Sequence, residues 1–189
     1  VAAEEAGCDV VVAQGTEAGG HTGRVGGMAL IPQVVDAVGI PVLAAGSIVD
    51  GRGLVAALGF GCEGVWMGTR FIASHEARAA EAYKKRVGEA RDEDTIVTRC
   101  YSGKPMRVLR NPYVEDWERR PDEIRRFPDQ MLVSMETGVM KTLAGATEGI
   151  EEDRHCMPCG QGAGAIHDVL SCREIVDKTM REAHEVLEA

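Results

Sequence analysis

Asp9-Val-Val-Val-Ala13, followed by Gln14-Gly-Thr-Glu-Ala-Gly-Gly-His21-Thr-Gly23, is the stretch that decides the fold. The apolar run is short, rich in β-branched residues and ended by glycine, a pattern that predicts a buried strand. The polar, glycine-rich turn after it presents one imidazole. Histidine titrates near neutrality, so His21 can accept or donate a proton without an extreme environment. An isolated histidine on a glycine loop is more often merely solvated. His21 is not isolated in that sense, because the strand-then-glycine pattern recurs twice downstream.

The two further units are Ile40-Pro-Val-Leu-Ala-Ala-Gly46-Ser47-Ile48 and Glu63-Gly-Val-Trp-Met-Gly68-Thr69-Arg70-Phe71. Helical patterns separate them, from Met28 to Val38 and from Gly51 to Gly59. Gly7-Cys8-Asp9 before the first strand is echoed by Gly61-Cys62-Glu63 before the third. Strand, helix, strand, helix, strand at this spacing predicts a parallel run with right-handed crossovers. All three glycine turns then lie at the carboxyl ends of their strands, on one rim.

That rim binds ligands in two competing architectures. A dinucleotide fold requires G-x-G-x-x-G directly after a strand, and Gly19 to Gly27 do not have that spacing. A (β/α)8 TIM barrel places phosphate in the loops after its last strands, held by main-chain N–H groups. Gly46-Ser47 and Gly68-Thr69 suit that role, because small residues admit the phosphate and hydroxyls donate to it. Either pair alone is better read as a tight turn. Both pairs together with the histidine loop favour the barrel.

These residues resemble the nitronate monooxygenase family, formerly the 2-nitropropane dioxygenases, and its relatives the flavin-dependent enoyl-acyl-carrier-protein reductases. The matching stretches are Gln14 to His21, Ile40 to Gly46, Asp50-Gly-Arg-Gly53 and Met67-Gly-Thr-Arg-Phe71, with weaker likeness at Tyr83-Lys84, Asp94-Thr95 and Gly160-Gln161. The resemblance implies an FMN enzyme that oxidises alkyl nitronates with O2 to a carbonyl compound and nitrite. It assigns His21 as the catalytic base and places flavin contacts on Gln14, Gly19, Gly20, Gly46, Ser47, Trp66, Met67, Gly68 and Thr69. Gly160 and Gln161 are added as a returning segment near the flavin. Two positions depart from the family pattern. Ser47 stands where a second glycine is usual, and Trp66 replaces a residue that is usually polar. The alternatives are an enoyl-thioester reductase using NAD(P)H and a catalytically inactive fragment or partner subunit.

A complete barrel takes about 250 residues, and the sequence has 189. The expectation is therefore the last three strands of a barrel within residues 1–91, followed by a mostly helical appendage over residues 92–189. The charged, proline-punctuated stretch 111–128 reads as a loop. Residues 73–91 read as one exposed helix, and Met131 to Ala144 as a helix packing its methionines inward. Ser171 and Glu174 form a capping-box pattern for a last amphipathic helix. A complementary barrel segment or a second copy is the expected protein partner.

The net charge of −9 argues against nucleic acid and anionic membrane as partners. No apolar run reaches the length of a membrane span. Together these give the expectation of a cytoplasmic protein with a small-molecule substrate. Cys8 and Cys62, at strand entrances, read as buried or half-buried thiols. His155 and the pair Cys156-Met-Pro-Cys159 lack the further ligands that zinc needs, so no metal site is predicted.

Overall fold

The computed structural model describes residues 1–189. A short helix α1 (Ala2–Glu5) leads into β1 (Val11–Gln14). After the histidine loop, which contains β2 (Gly20–His21), the chain runs through α2 (Gly27–Ala37), β3 (Val42–Ala45), α3 (Gly51–Gly59) and β4 (Gly64–Trp66). β1, β3 and β4 form a parallel sheet in the order β1-β3-β4. Val11 lies beside Val42, and Leu43 beside Gly64. Ala13, Val42 and Ala44 project from it against Ile31 of α2 and Ala57 of α3, with Cys62 beside them. Small residues in the strands let the helices approach closely. The sheet ends at β1 on one side and β4 on the other, so the barrel is not closed.

The rest of the chain returns to this unit. After α4 (Thr69–Ile72) and α5 (Glu81–Glu89) come β5 (Thr95–Thr98) and β6 (Met106–Leu109), an antiparallel pair. β2 adds to β6, with His21 opposite Met106, and so ties the histidine loop to residues more than eighty positions on. α6 (Pro112–Glu118) and α7 (Asp129–Glu136) come next in the chain. The last helix, α8 (Cys172–Glu188), packs on α3. Gly51 is required there, because a Cβ at that position would stand 2.2 Å from the Ala183 amide nitrogen. The Glu182 carboxylate accepts from the Gly51 N–H at 3.1 Å.

Several expectations fail for identifiable reasons. Residues 73–91 are not one exposed helix. Only Glu81–Glu89 is helical, and Tyr83, Lys84 and Val87 on it are buried. Ahead of it, Ser74 bridges Leu170 and Ala73 is sealed in the core, so tertiary contacts override alanine's helical preference. The stretch 111–128 contains α6, started by Asn111, whose side chain accepts from the Val114 N–H at 2.9 Å, with Pro112 in the first turn. α7 ends at Glu136 and buries Gln130 and Ser134, while Leu132 and Met135 face outward. Cys8 is exposed, whereas Cys62 is buried. The Ser171–Glu174 capping box forms as predicted and opens α8.

Candidate active site

The carboxyl ends of the three parallel strands surround a cleft of about 160 Å³. Its walls are Gln14 at the end of β1 and Gly19 in the loop after it, Gly46 and Ser47 after β3, Trp66, Gly68 and Thr69 at the end of β4, and Gly160 and Gly162 from the returning segment. Eight residues predicted from sequence therefore line one space: Gln14, Gly19, Gly46, Ser47, Trp66, Gly68, Thr69 and Gly160. Gly20, His21, Met67 and Gln161 lie outside the lining. Met67 faces the opposite side, in an apolar groove with Leu54, Leu58, Phe71 and Met180. Trp66 remains 62% exposed, beside the open edge of the sheet.

The segment Gly160–Ala165 straps the three loops together. The Gly160 N–H donates to Thr69 Oγ1 at 3.0 Å, and the Gly162 N–H to Ser47 Oγ at 2.9 Å. The Gln161 N–H donates to the Glu17 carbonyl at 3.0 Å. Ser47 has φ 55°, in the left-handed region that non-glycine residues seldom adopt. Its hydroxyl accepts from Gly162 and donates to the Glu17 carbonyl at 3.3 Å. In this arrangement that proton points to a main-chain carbonyl. Gly19 is needed for the strap to close: a Cβ there would meet the Gly160 nitrogen at 2.7 Å.

The histidine loop is anchored at several points. Gln14 Nε2 donates to the His21 carbonyl at 2.8 Å, and Thr16 Oγ1 to the Gly23 carbonyl at 2.9 Å. The Glu17 carboxylate accepts from the Gly27 N–H at 2.9 and 3.0 Å, capping α2 from a distant position. Buried Arg107 donates from Nε to the Thr16 carbonyl at 3.0 Å and from a terminal nitrogen to Thr95 Oγ1 at 3.1 Å. His21 Nε2 lies 2.8 Å from Ser102 Oγ. Partial burial lowers the His21 pKa from its ordinary value, and the nearby Lys104 ammonium lowers it further. Both effects favour the neutral ring. Sequence reasoning does not reach Glu17, Ser102, Lys104 or Arg107. Three of them meet the loop only through the β2–β6 pairing, for which no local pattern gives a signal.

The buried pair Cys156 and Cys159 is free, and burial raises both thiols, Cys159 to about 12. No group of three or more His, Cys, Asp or Glu side chains is arranged to hold a metal ion. No helix is long and apolar enough to cross a membrane.

A parallel α/β unit with a glycine-lined cleft at its strand carboxyl ends has the arrangement by which (β/α)8 barrels bind ligands on that rim. The sequence profile of the nitronate monooxygenases matches residues 1–182, and the chain belongs to that family. A probable nitronate monooxygenase of Staphylococcus saprophyticus is 37% identical, over 99% of this chain and 54% of its own length. Among solved structures, FabK of Thermotoga maritima superimposes with a TM-score of 0.86 at 38% identity, over 99% of this chain and 58% of its own. The nitroalkane oxidase of Streptomyces ansochromogenes gives a TM-score of 0.83 at 31% identity, over 99% and 55%. The chain thus spans about half the length of the relatives it matches.

Proposed function

We propose that this chain is the flavin-holding part of an FMN-dependent nitronate monooxygenase, with residues 1–91 supplying the last three strands of its barrel and residues 92–189 an appendage. The convergence of Gln14, Gly19, Gly46, Gly68, Thr69 and Gly160 on one cleft beside a histidine of lowered pKa carries the reading. The cleft suits the phosphate end of FMN. Its lining carries no charged side chain, and a Cβ at Gly68 would meet nothing within 4 Å, so a ligand has room against the main chain. In a protein of net charge −9, main-chain N–H groups and the Thr69 hydroxyl are the donors suited to holding an anion.

FMN, when bound, supplies the electron-accepting chemistry. The residues of this chain supply the rest. His21 removes the α-proton of a neutral nitroalkane, and Gln14 fixes the His21 main chain through its carbonyl. The strap from Gly160 excludes water from one side of the cleft.

A second reading is supported by the similarity to FabK, an enoyl-acyl-carrier-protein reductase. It shares the flavin site and consumes NAD(P)H with an enoyl thioester. One experiment separates the two. In the complete flavin-loaded protein, oxygen uptake with an alkyl nitronate is expected, and nicotinamide oxidation with an enoyl thioester is not. His21→Ala should lower nitroalkane turnover by roughly 10²–10⁴-fold, retain flavin colour, and affect a preformed nitronate much less. Gly68→Val should do the reverse, losing flavin while the protein stays folded. Equal losses on nitroalkane and nitronate in His21→Ala would remove His21 as the base. Flavin fully retained in Gly68→Val would remove the phosphate assignment.

A further inference from the structure

We infer that Ser102 is a positioning residue that holds His21 in its Nε2–H tautomer and thereby makes Nδ1 the atom that takes the proton; this rests on the reading of His21 as the base. Ser102 Oγ has three polar neighbours: His21 Nε2 at 2.8 Å, the Lys104 carbonyl at 3.3 Å and the Lys104 N–H at 3.3 Å. The hydroxyl owns one proton and two acceptor positions. The Lys104 carbonyl can only accept, and the Lys104 N–H can only donate. Imidazole nitrogen alone is able to play either role. The single arrangement that satisfies all three contacts sends the Ser102 proton to the Lys104 carbonyl and leaves Oγ accepting from Lys104 N–H and from His21 Nε2–H. Ser102 is 1% exposed, so water cannot substitute for a missing partner.

The other ring nitrogen then carries the lone pair. No hydrogen bond within the protein engages Nδ1, and His21 lies exposed at the rim. Proton transfer is balanced at this atom. The substrate Cα–H bond breaks, its electron pair stays on the substrate as a nitronate anion, and the proton forms a bond to Nδ1. The resulting imidazolium keeps its Nε2–H donated to Ser102, so the positive ring is stabilised without a change of partner. The reverse tautomer places a proton on Nδ1 and abolishes the base while leaving the ring in position.

The support beneath Ser102 is rigid. The Gly103 N–H donates to the Arg99 carbonyl at 2.7 Å, and fully buried Gln130 donates to the Cys100 carbonyl at 2.7 Å. The antiparallel pairing of His21 with Met106 sets the distance between the two elements. The charged group acting on His21 is Lys104, from this same turn.

Nitrogen-15 NMR of histidine-labelled, flavin-loaded complete protein tests the assignment, because protonated and bare ring nitrogens resonate far apart. Wild type should show His21 as the Nε2–H tautomer, and Ser102→Ala a mixture of tautomers. Turnover of a neutral nitroalkane should fall by roughly 10–100-fold in kcat in Ser102→Ala. KM and the rate with preformed nitronate should hold, and Ser102→Thr, which keeps the hydroxyl, should restore both the spectrum and kcat. If the added methyl of threonine prevents folding, the Ser102→Ala spectrum decides alone. An Nδ1–H tautomer in wild type, or an unchanged tautomer and kcat in Ser102→Ala while His21→Ala is inactive, overturns this inference and leaves the base reading intact. Unchanged nitroalkane turnover in His21→Ala overturns the base reading and this inference with it.

Discussion

His21 gains its properties from residues far away in the chain. Its ring is held by Ser102, its carbonyl by Gln14, and its charge state by partial burial and by Lys104. The lowered pKa sets the pH dependence. A base works only while its lone pair is free, so a depressed pKa keeps it competent to lower pH. Turnover of a neutral nitroalkane should therefore be flat above the ordinary histidine pKa of about 6.5 and fall only in more acid solution. Lys104→Met removes a positive neighbour that disfavours the imidazolium. The acid limb of kcat/KM should then move to higher pH, toward the ordinary value. A limb that stays in place or moves to lower pH would show that Lys104 does not act on His21 through its charge. Ser47 illustrates the opposite case, a residue legible in type but not in role. Its position after β3 is evident from the Ala-Ala-Gly-Ser sequence. Its left-handed backbone carries no local signal, and its partners are the Glu17 carbonyl, 30 residues earlier, and the Gly162 N–H, 115 residues later.

At the scale of elements, the strands and their connecting helices are legible because each carries its own signal. β-branched apolar runs end in glycine, and Asp50 caps α3 by accepting from the Arg52 and Gly53 N–H groups. α6 is hidden because its three neighbouring prolines suggest a loop, although Asn111-Pro112 is a sound helix start. Residues 73–80 depart from the helix that their alanine content suggests, because composition says nothing of the Arg70 clamp. That buried guanidinium holds Asp168 at 2.6 Å and the Ala73 carbonyl at 2.9 Å, fixing the chain in a non-helical course. The strap Gly160–Ala165 is visible in the sequence only as a glycine-rich segment; its partners are non-local. It gives an element-scale prediction through Ser47→Gly. Left-handed strain of about 1–2 kcal/mol is relieved, and hydrogen bonds of about 1 kcal/mol each are lost. Global stability should change by less than about 1 kcal/mol, whereas amide exchange at Gly162 should accelerate because its acceptor is gone. A protected Gly162 amide in Ser47→Gly would mean that the strap is held by Thr69 and Glu17 alone.

For the whole molecule, the decisive feature is that the parallel sheet stops at two bare edges. β1 and β4 each pair on one side only. Val10, Val12 and Trp66, on or beside these edge strands, stay exposed, and so do Leu58, Val176 and Met180 on the helices behind them. Behind β4 the side chains of Leu54, Leu58, Val65, Met67, Phe71 and Met180 line an apolar groove of about 490 Å³. A large apolar side chain left in water forgoes roughly 1.5–3 kcal/mol, against a total domain stability of only about 5–15 kcal/mol. Unpaired strand edges add a template for association with other chains. Trp66 of the edge strand β4 also lines the cleft at the strand ends, so the cleft lies next to one of these bare edges. Residues 1–189 expressed alone should therefore be aggregated, or partly folded, dye-binding and colourless. Supplying the remaining barrel strands in trans from a longer relative should restore a monodisperse, yellow preparation. Val12→Lys and Met180→Lys, which place charges on the bare edge and in the groove, should improve the solubility of the isolated chain and block its complementation. An isolated chain that is monomeric, melts cooperatively and retains FMN through gel filtration would show that the three-stranded unit and its appendage suffice, and would end the half-barrel reading.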